Sequence, residues 1–209
     1  MIFRALARVR GGRAVHKVGR TFQATLTCFG DSRSGIPLLD RPGVHPAVVR
    51  LSRGAGLPRG WPDVLGVAVR VPDGGGAGVD LDLLVSTTVG AAPIARSIPL
   101  PRRSLASTYT SIAGYPTRRG RRLLAVLPDG PGGFRVCTAT RLGRWRVAGR
   151  IVLGAPLPAE HDRRLAFDPL MTAVPGVVAD GLLWRVRAVA YRESRRGRLF
   201  AAEPGTSTR

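Results

Sequence analysis

Apolar and polar side chains alternate from Thr21 to Phe29: Phe22, Ala24, Leu26 and Cys28 share one face, and Thr21, Gln23, Thr25 and Thr27 share the other. Successive side chains of an extended chain point to opposite sides, so this run predicts a strand with one buried face. Strand-like runs follow at 47–53, 66–71, 81–88, 123–127, 133–140 and 145–153. Turn clusters such as Pro72-Asp-Gly-Gly-Gly76 and Pro128-Asp-Gly-Pro-Gly-Gly133 separate them. Seven short strands at this spacing predict a barrel or a sandwich, and closure into a barrel would remove exposed edges.

The last fifty residues read differently. Residues 159–162 open a short helix. Residues 180–194 form a longer one, with Asp180 as N-cap and Leu183, Val186, Val189 and Ala190 recurring at helical spacing. Gly197 then acts as a stop signal. No repeat and no linker interrupts the chain, which reads as a single domain over 1–209, α+β and mainly β. Residues 1–12 and 203–209 are expected to be loosely ordered.

Composition adds charge to this outline. Of 209 residues, 33 are Lys or Arg against 13 Asp or Glu, for a formal net charge of +20. Lys17 is the single lysine, and asparagine is absent. Such a balance admits nucleic acid or an anionic surface as partner, although compositional arginine bias explains most solvated charges equally well. The guanidinium binds carboxylates in a planar two-point contact that lysine does not match. With 44% hydrophobic residues a packed core is within reach. Cys28 and Cys137 lie far apart, each in an apolar-alternating run, and read as buried free thiols in a reducing compartment. The start of the chain is too charged for a secretory segment, and no apolar run spans a bilayer, so a cytoplasmic location is expected.

Two places carry candidate chemistry. His45 and His161 sit in polar, turn-like contexts and read as surface residues. His16 stands in Gly12-Arg-Ala-Val-His-Lys-Val-Gly19, immediately before the first strand. Arg187 and Tyr191 are four apart on the predicted helix and so share a face. A nearby cation favours the phenolate over the phenol. It is one way to make a tyrosine with an ordinary pKa of about 10 into a ligand for ferric iron.

Three stretches resemble the catalase superfamily, in that family's order. Arg13-Ala-Val-His16-Lys-Val-Gly19 resembles the run around the distal histidine. Val49-Arg50-Leu-Ser52-Arg-Gly-Ala-Gly56, continuing through Asp63-Val-Leu-Gly66-Val-Ala-Val-Arg70, resembles the segment that follows. Phe167-Asp-Pro169, Val174-Pro-Gly176, Arg187-x-x-x-Tyr191 and Arg198 resemble the segment carrying the proximal tyrosine. The resemblance implies a catalase-like antiparallel β-barrel holding ferric haem b. Tyr191 would be the iron ligand, with Arg187 beside it. His16 would be the distal acid–base group and Ser52 its hydrogen-bond partner. Arg13, Arg50 and Arg198 would hold the propionates, and Val15 would narrow the distal side.

The departures are equally specific. The family places an asparagine in the distal pocket. The corresponding run here is Asp82-Leu-Leu-Val-Ser86-Thr87-Thr88, where the Thr87 hydroxyl is the candidate substitute. Loss of a preorganised donor argues for peroxidase or weak catalase activity on hydrogen peroxide or small organic peroxides. A hydroperoxide-rearranging haem enzyme of the same superfamily is the alternative. A non-enzymatic basic barrel binding nucleic acid through Arg118-Arg-Gly-Arg-Arg122 and Arg195-Arg-Gly-Arg198 is the reading from a different class, and a barrel that keeps the fold without haem is another. Stacking aromatics for RNA are missing, so a small peroxide is the expected partner rather than nucleic acid. A homodimer is compatible with the chain.

Overall fold

Eight antiparallel strands close into one barrel in simple chain order. The computed structural model describes residues 18–31, 33–58, 60–165 and 167, the side chains of 163 and 164 aside. The strands are β1 (Val18–Phe29), β2 (Pro42–Arg53), β3 (Leu65–Gly76), β4 (Val79–Thr87), β5 (Tyr109–Thr110), β6 (Leu123–Pro128), β7 (Gly133–Ala139) and β8 (Arg146–Pro156). Two short helices, α1 (Pro37–Asp40) and α2 (Ala159–Arg164), and a 3-10 turn at Ala95–Ser97 complete the described elements. The ring closes where β1 pairs with β8, Leu26 lying opposite Ile151.

The period of two sets the inside. Leu26 and Cys28 of β1, Val49 of β2, Val67 and Val69 of β3, and Leu83 and Val85 of β4 point into a common buried cluster. On β1 this is the alternation face expected from the sequence, and β-branched residues dominate on β2 and β3 because they fit a pleated, crowded wall. Burial pushes the Cys28 thiol up to about 11, as expected for an inert core cysteine.

Three strands differ from the sequence expectation. β2 begins at Pro42 rather than at residue 47, so the run containing His45 is extended chain opposite Leu26, not a turn. β3 continues to Gly76 through an irregularity after Val71, and the tight turn falls at 77–78 instead of 72–76. There Asp73 takes a positive φ of 54° and its carboxylate accepts the Gly78 N–H. β5 has two residues, too few to show any alternation.

The shortness of β5 leaves the edge of β4 without a full neighbour, and Tyr115 fills the place. Its hydroxyl accepts the Leu84 N–H at 2.9 Å and donates to the Leu84 carbonyl at 3.3 Å. A buried backbone pair left open would be costly, so one phenol stands in for a ladder step. After β2, the chain folds around Asp63. The buried carboxylate accepts the N–H groups of Ala55, Gly56 and Leu57 and sits 3.7 Å from Nε of Arg53. Among the described residues no helix is long and apolar enough to cross a membrane.

Candidate functional site on the outer wall of strands β1 to β4

A barrel strand normally shows one face to the core and one to water. β2, β3 and β4 depart from this. Register places their outward side chains in three rows with those of β1. Gly19, Ser52, Gly66 and Ser86 form the first row; Thr21, Arg50, Ala68 and Leu84 the second; Gln23, Val48, Arg70 and Asp82 the third. Thr21, Arg50, Ser52, Asp82 and Leu84 are all buried although they lie outside the barrel. On β8, by contrast, outward residues such as Arg150 and Val152 are exposed, whereas β7 exposes Arg135 alone. Around Arg50 the outer wall of β1–β4 is therefore a second buried surface, and a polar one, whereas Gly19 and Gln23 at its β1 edge are exposed.

Arg50 lies at its centre and is 3% exposed. Its guanidinium binds Asp162 of α2 in two-point fashion, Nε to Oδ1 at 2.6 Å and Nη2 to Oδ2 at 3.3 Å. The Thr21 hydroxyl donates to the same Oδ1 at 2.5 Å. Gly19 makes room for this clasp. A Cβ there would sit 2.6 Å from Nη2 of Arg50, 2.7 Å from its Cζ and 2.7 Å from the Leu51 carbonyl. The glycine that closes the His16 motif is thus required by the arginine of the next motif, a link that neither motif reveals alone.

The third row carries a second pair. Arg70 binds the fully buried carboxylate of Asp82 through Nε at 2.8 Å and Nη2 at 2.6 Å. The ring of Phe167 lies over the Arg70 guanidinium, 5.2 Å from its centroid. Phe167 and α2 are the described parts of the chain that lie over this wall.

Of the residues expected at a site, Arg50 and Ser52 share this wall. Ser52 donates to the Gly66 carbonyl at 3.3 Å. Thr87 does not join them. It follows Leu83 and Val85 on the inward face of β4, where its hydroxyl accepts the Leu65 N–H at 3.0 Å and donates to the Leu100 carbonyl at 2.8 Å. Alternation makes the neighbour Ser86, not Thr87, the hydroxyl facing Ser52's side. Arg13, Val15, His16, Arg187, Tyr191 and Arg198 lie outside the described residues, as does the helix expected at 180–194. His161 is exposed on α2. Among the described residues no cluster of three or more His, Cys, Asp or Glu side chains is placed to hold a metal ion.

The described donors fit the edge of a large carboxylate-bearing group. A buried guanidinium held over a glycine already binds a carboxylate at two points, which is the contact a propionate requires. That seat is held by Asp162 in this structure.

Solved structures supply parallels in architecture. A fungal catalase superposes with a TM-score of 0.65 at 14% identity, over 93% of this chain and 62% of the catalase. A bacterial catalase gives 0.64 at 15% identity, over 90% of this chain and 57% of that one. The chain thus spans about three fifths of the length of these catalases, and the likeness establishes a catalase-like fold. No family model matches the chain, and no curated protein matches it.

Proposed function

We propose that this catalase-like barrel binds ferric haem b against the outer wall of β1–β4 and acts on hydrogen peroxide or small organic peroxides as a peroxidase or weak catalase. The observation that carries this reading is the buried polar wall with Arg50 at its centre, built to take a carboxylate on the outside of a barrel whose fold is that of catalases. When bound, haem supplies the redox chemistry for splitting a peroxide O–O bond. The chain supplies the rest. Tyr191 is the proposed iron ligand, kept as phenolate by Arg187. Arg13, Arg50 and Arg198 bind the propionates, and Val15 limits the size of what enters. His16 accepts the proton from one peroxide oxygen and returns it to the departing one. Ser52 orients His16.

Expression with haem available tests the ligand set. A Soret band that Tyr191→Phe shifts or removes supports it; no band, or an unchanged spectrum in that variant, overturns it. His16→Ala should retain haem and lose peroxide turnover.

A second reading has its own observation. Asp162 occupies the Arg50 seat and both Thr87 bonds are internal, as in a barrel that keeps the fold without the cofactor. A colourless protein after haem titration is the result that selects it.

A further inference from the structure

On a different face, two loops are locked together and each presents a large apolar tip. Ile94 is 84% exposed and Leu142 is 77% exposed. Their loops are cross-linked by Arg96, whose Nη1 donates to the carbonyls of Thr140 at 2.9 Å and Gly143 at 3.0 Å. Trp145 adds a third bond, its indole N–H reaching the Ala91 carbonyl at 2.7 Å, and its ring stacks 4.6 Å from the Arg96 guanidinium. The exposed tips are thus held on a braced scaffold that keeps them from folding back onto the barrel.

The loops themselves carry arginines and no carboxylate. No Asp or Glu occurs between Asp82 and Asp129, or between Asp129 and Glu160. Arg141 and Arg144 flank Leu142 and are exposed. Arg96 is 2% exposed, and among the described residues it has no carboxylate partner and its Nε no hydrogen-bond partner. Arg146, at the end of the second loop, pairs with Asp31 at 3.2 Å, but among the described residues Arg96, Arg141 and Arg144 have no carboxylate partner, so the loops keep a net positive field.

We infer that the paired loops at 89–98 and 140–146 form a docking surface for an anionic lipid bilayer. Isolated aliphatic tips flanked by arginines match an interface that is apolar below and negatively charged above. A second copy of the chain would bring like charge against like charge. Nucleic acid offers phosphates but no site for Ile94 and Leu142, since base recognition uses stacking rings rather than aliphatic tips.

The test is co-sedimentation of the full chain with vesicles of phosphatidylcholine alone or doped with phosphatidylglycerol. Binding is expected to the doped vesicles and not to the neutral ones. Ile94→Ser/Leu142→Ser should weaken it about tenfold, with an unchanged thermal melt because both side chains are exposed. Arg141→Ser/Arg144→Ser should cost about fivefold per arginine. Arg118→Ser/Arg119→Ser removes equal charge from an exposed turn elsewhere and should cost far less. Failure to bind doped vesicles overturns the inference, as does equal loss in the two arginine pairs or full binding by the apolar double variant. A wild-type dimer that the apolar variant dissociates overturns it in favour of self-association. Loss of RNA binding in that variant with vesicle binding retained overturns it in favour of nucleic acid.

Discussion

Arg50 donates its Nε to Asp162 across 2.6 Å, joining positions 112 residues apart in the chain. With the Nη2 contact and the Thr21 hydroxyl bond to the same carboxylate, this bond fastens α2 to the wall of the barrel. Removing a single partner from a largely buried pair leaves a charge without its counter-ion. Asp162→Ala is expected to lower stability by about 2–4 kcal/mol in urea unfolding, on the scale of such broken pairs. Gly19→Ala should do comparable damage by a different route, because its Cβ meets both the guanidinium and a backbone carbonyl. Combining the two should cost less than their sum, since both disturb the same clasp.

Acid should reveal Asp63. Burial alone would raise its pKa, but the N–H groups of Ala55, Leu57 and Gly56 and the charge of Arg53 outweigh burial and hold it below the usual carboxylate value of 3.8. A carboxyl depressed in the folded state contributes stability that is present above its unfolded pKa. That contribution is lost as pH falls from there through the lower folded value. Wild-type stability should therefore decline steeply below about pH 4. Asp63→Asn should be less stable at neutral pH, by about 1–3 kcal/mol, with a flatter acid limb. Equal slopes for the two proteins would refute the assignment.

The stitch at Tyr115 is testable without any ligand. Tyr115→Phe removes the hydroxyl that closes both backbone groups of Leu84. About 1–3 kcal/mol of stability should be lost, and the Leu84 amide should exchange with solvent faster than those of Leu83 and Val85. Uniform protection across β4 would show that the phenol is dispensable.

Neither cysteine should react in the native protein. Cys28 and Cys137 are both buried, and burial raises both thiols, with Arg135 partly opposing the effect at Cys137. The thiolate is the reactive species. A chromogenic disulfide reagent at about pH 8 should therefore count no thiols before denaturation and 2 after it.

Much of the barrel was legible because its strands are long and patterned. The faces of β1 follow from Phe22 to Cys28 alone, and the helix start at 159 coincides with α2. β5 was hidden by length, and the true extent of β3 by glycines that run on as strand beyond Pro72. At the site, the type of residue was readable but not its direction. Thr87 and Ser86 are adjacent and both hydroxylic, yet a one-residue step sends one inward and the other outward. Asp162 reads from the sequence as the end of the short helix opening at 159 and as a polar neighbour of His161. Its partner is 112 residues upstream, and no local pattern carries that distance.

The asymmetry of the wall reaches beyond any ligand. β8 keeps a wet side, so alternate positions there should accept polar replacement freely. β2, β3 and β4 are confined on both sides near Arg50, and neither parity has that latitude. A saturation-mutagenesis profile of this chain should therefore show a comb of tolerant and intolerant positions along β8. Along β2 to β4 it should show intolerance at both parities near Arg50, over 48–52, 66–70 and 81–84, interrupted by the exposed loop around Trp61 and the exposed turn at 77–78.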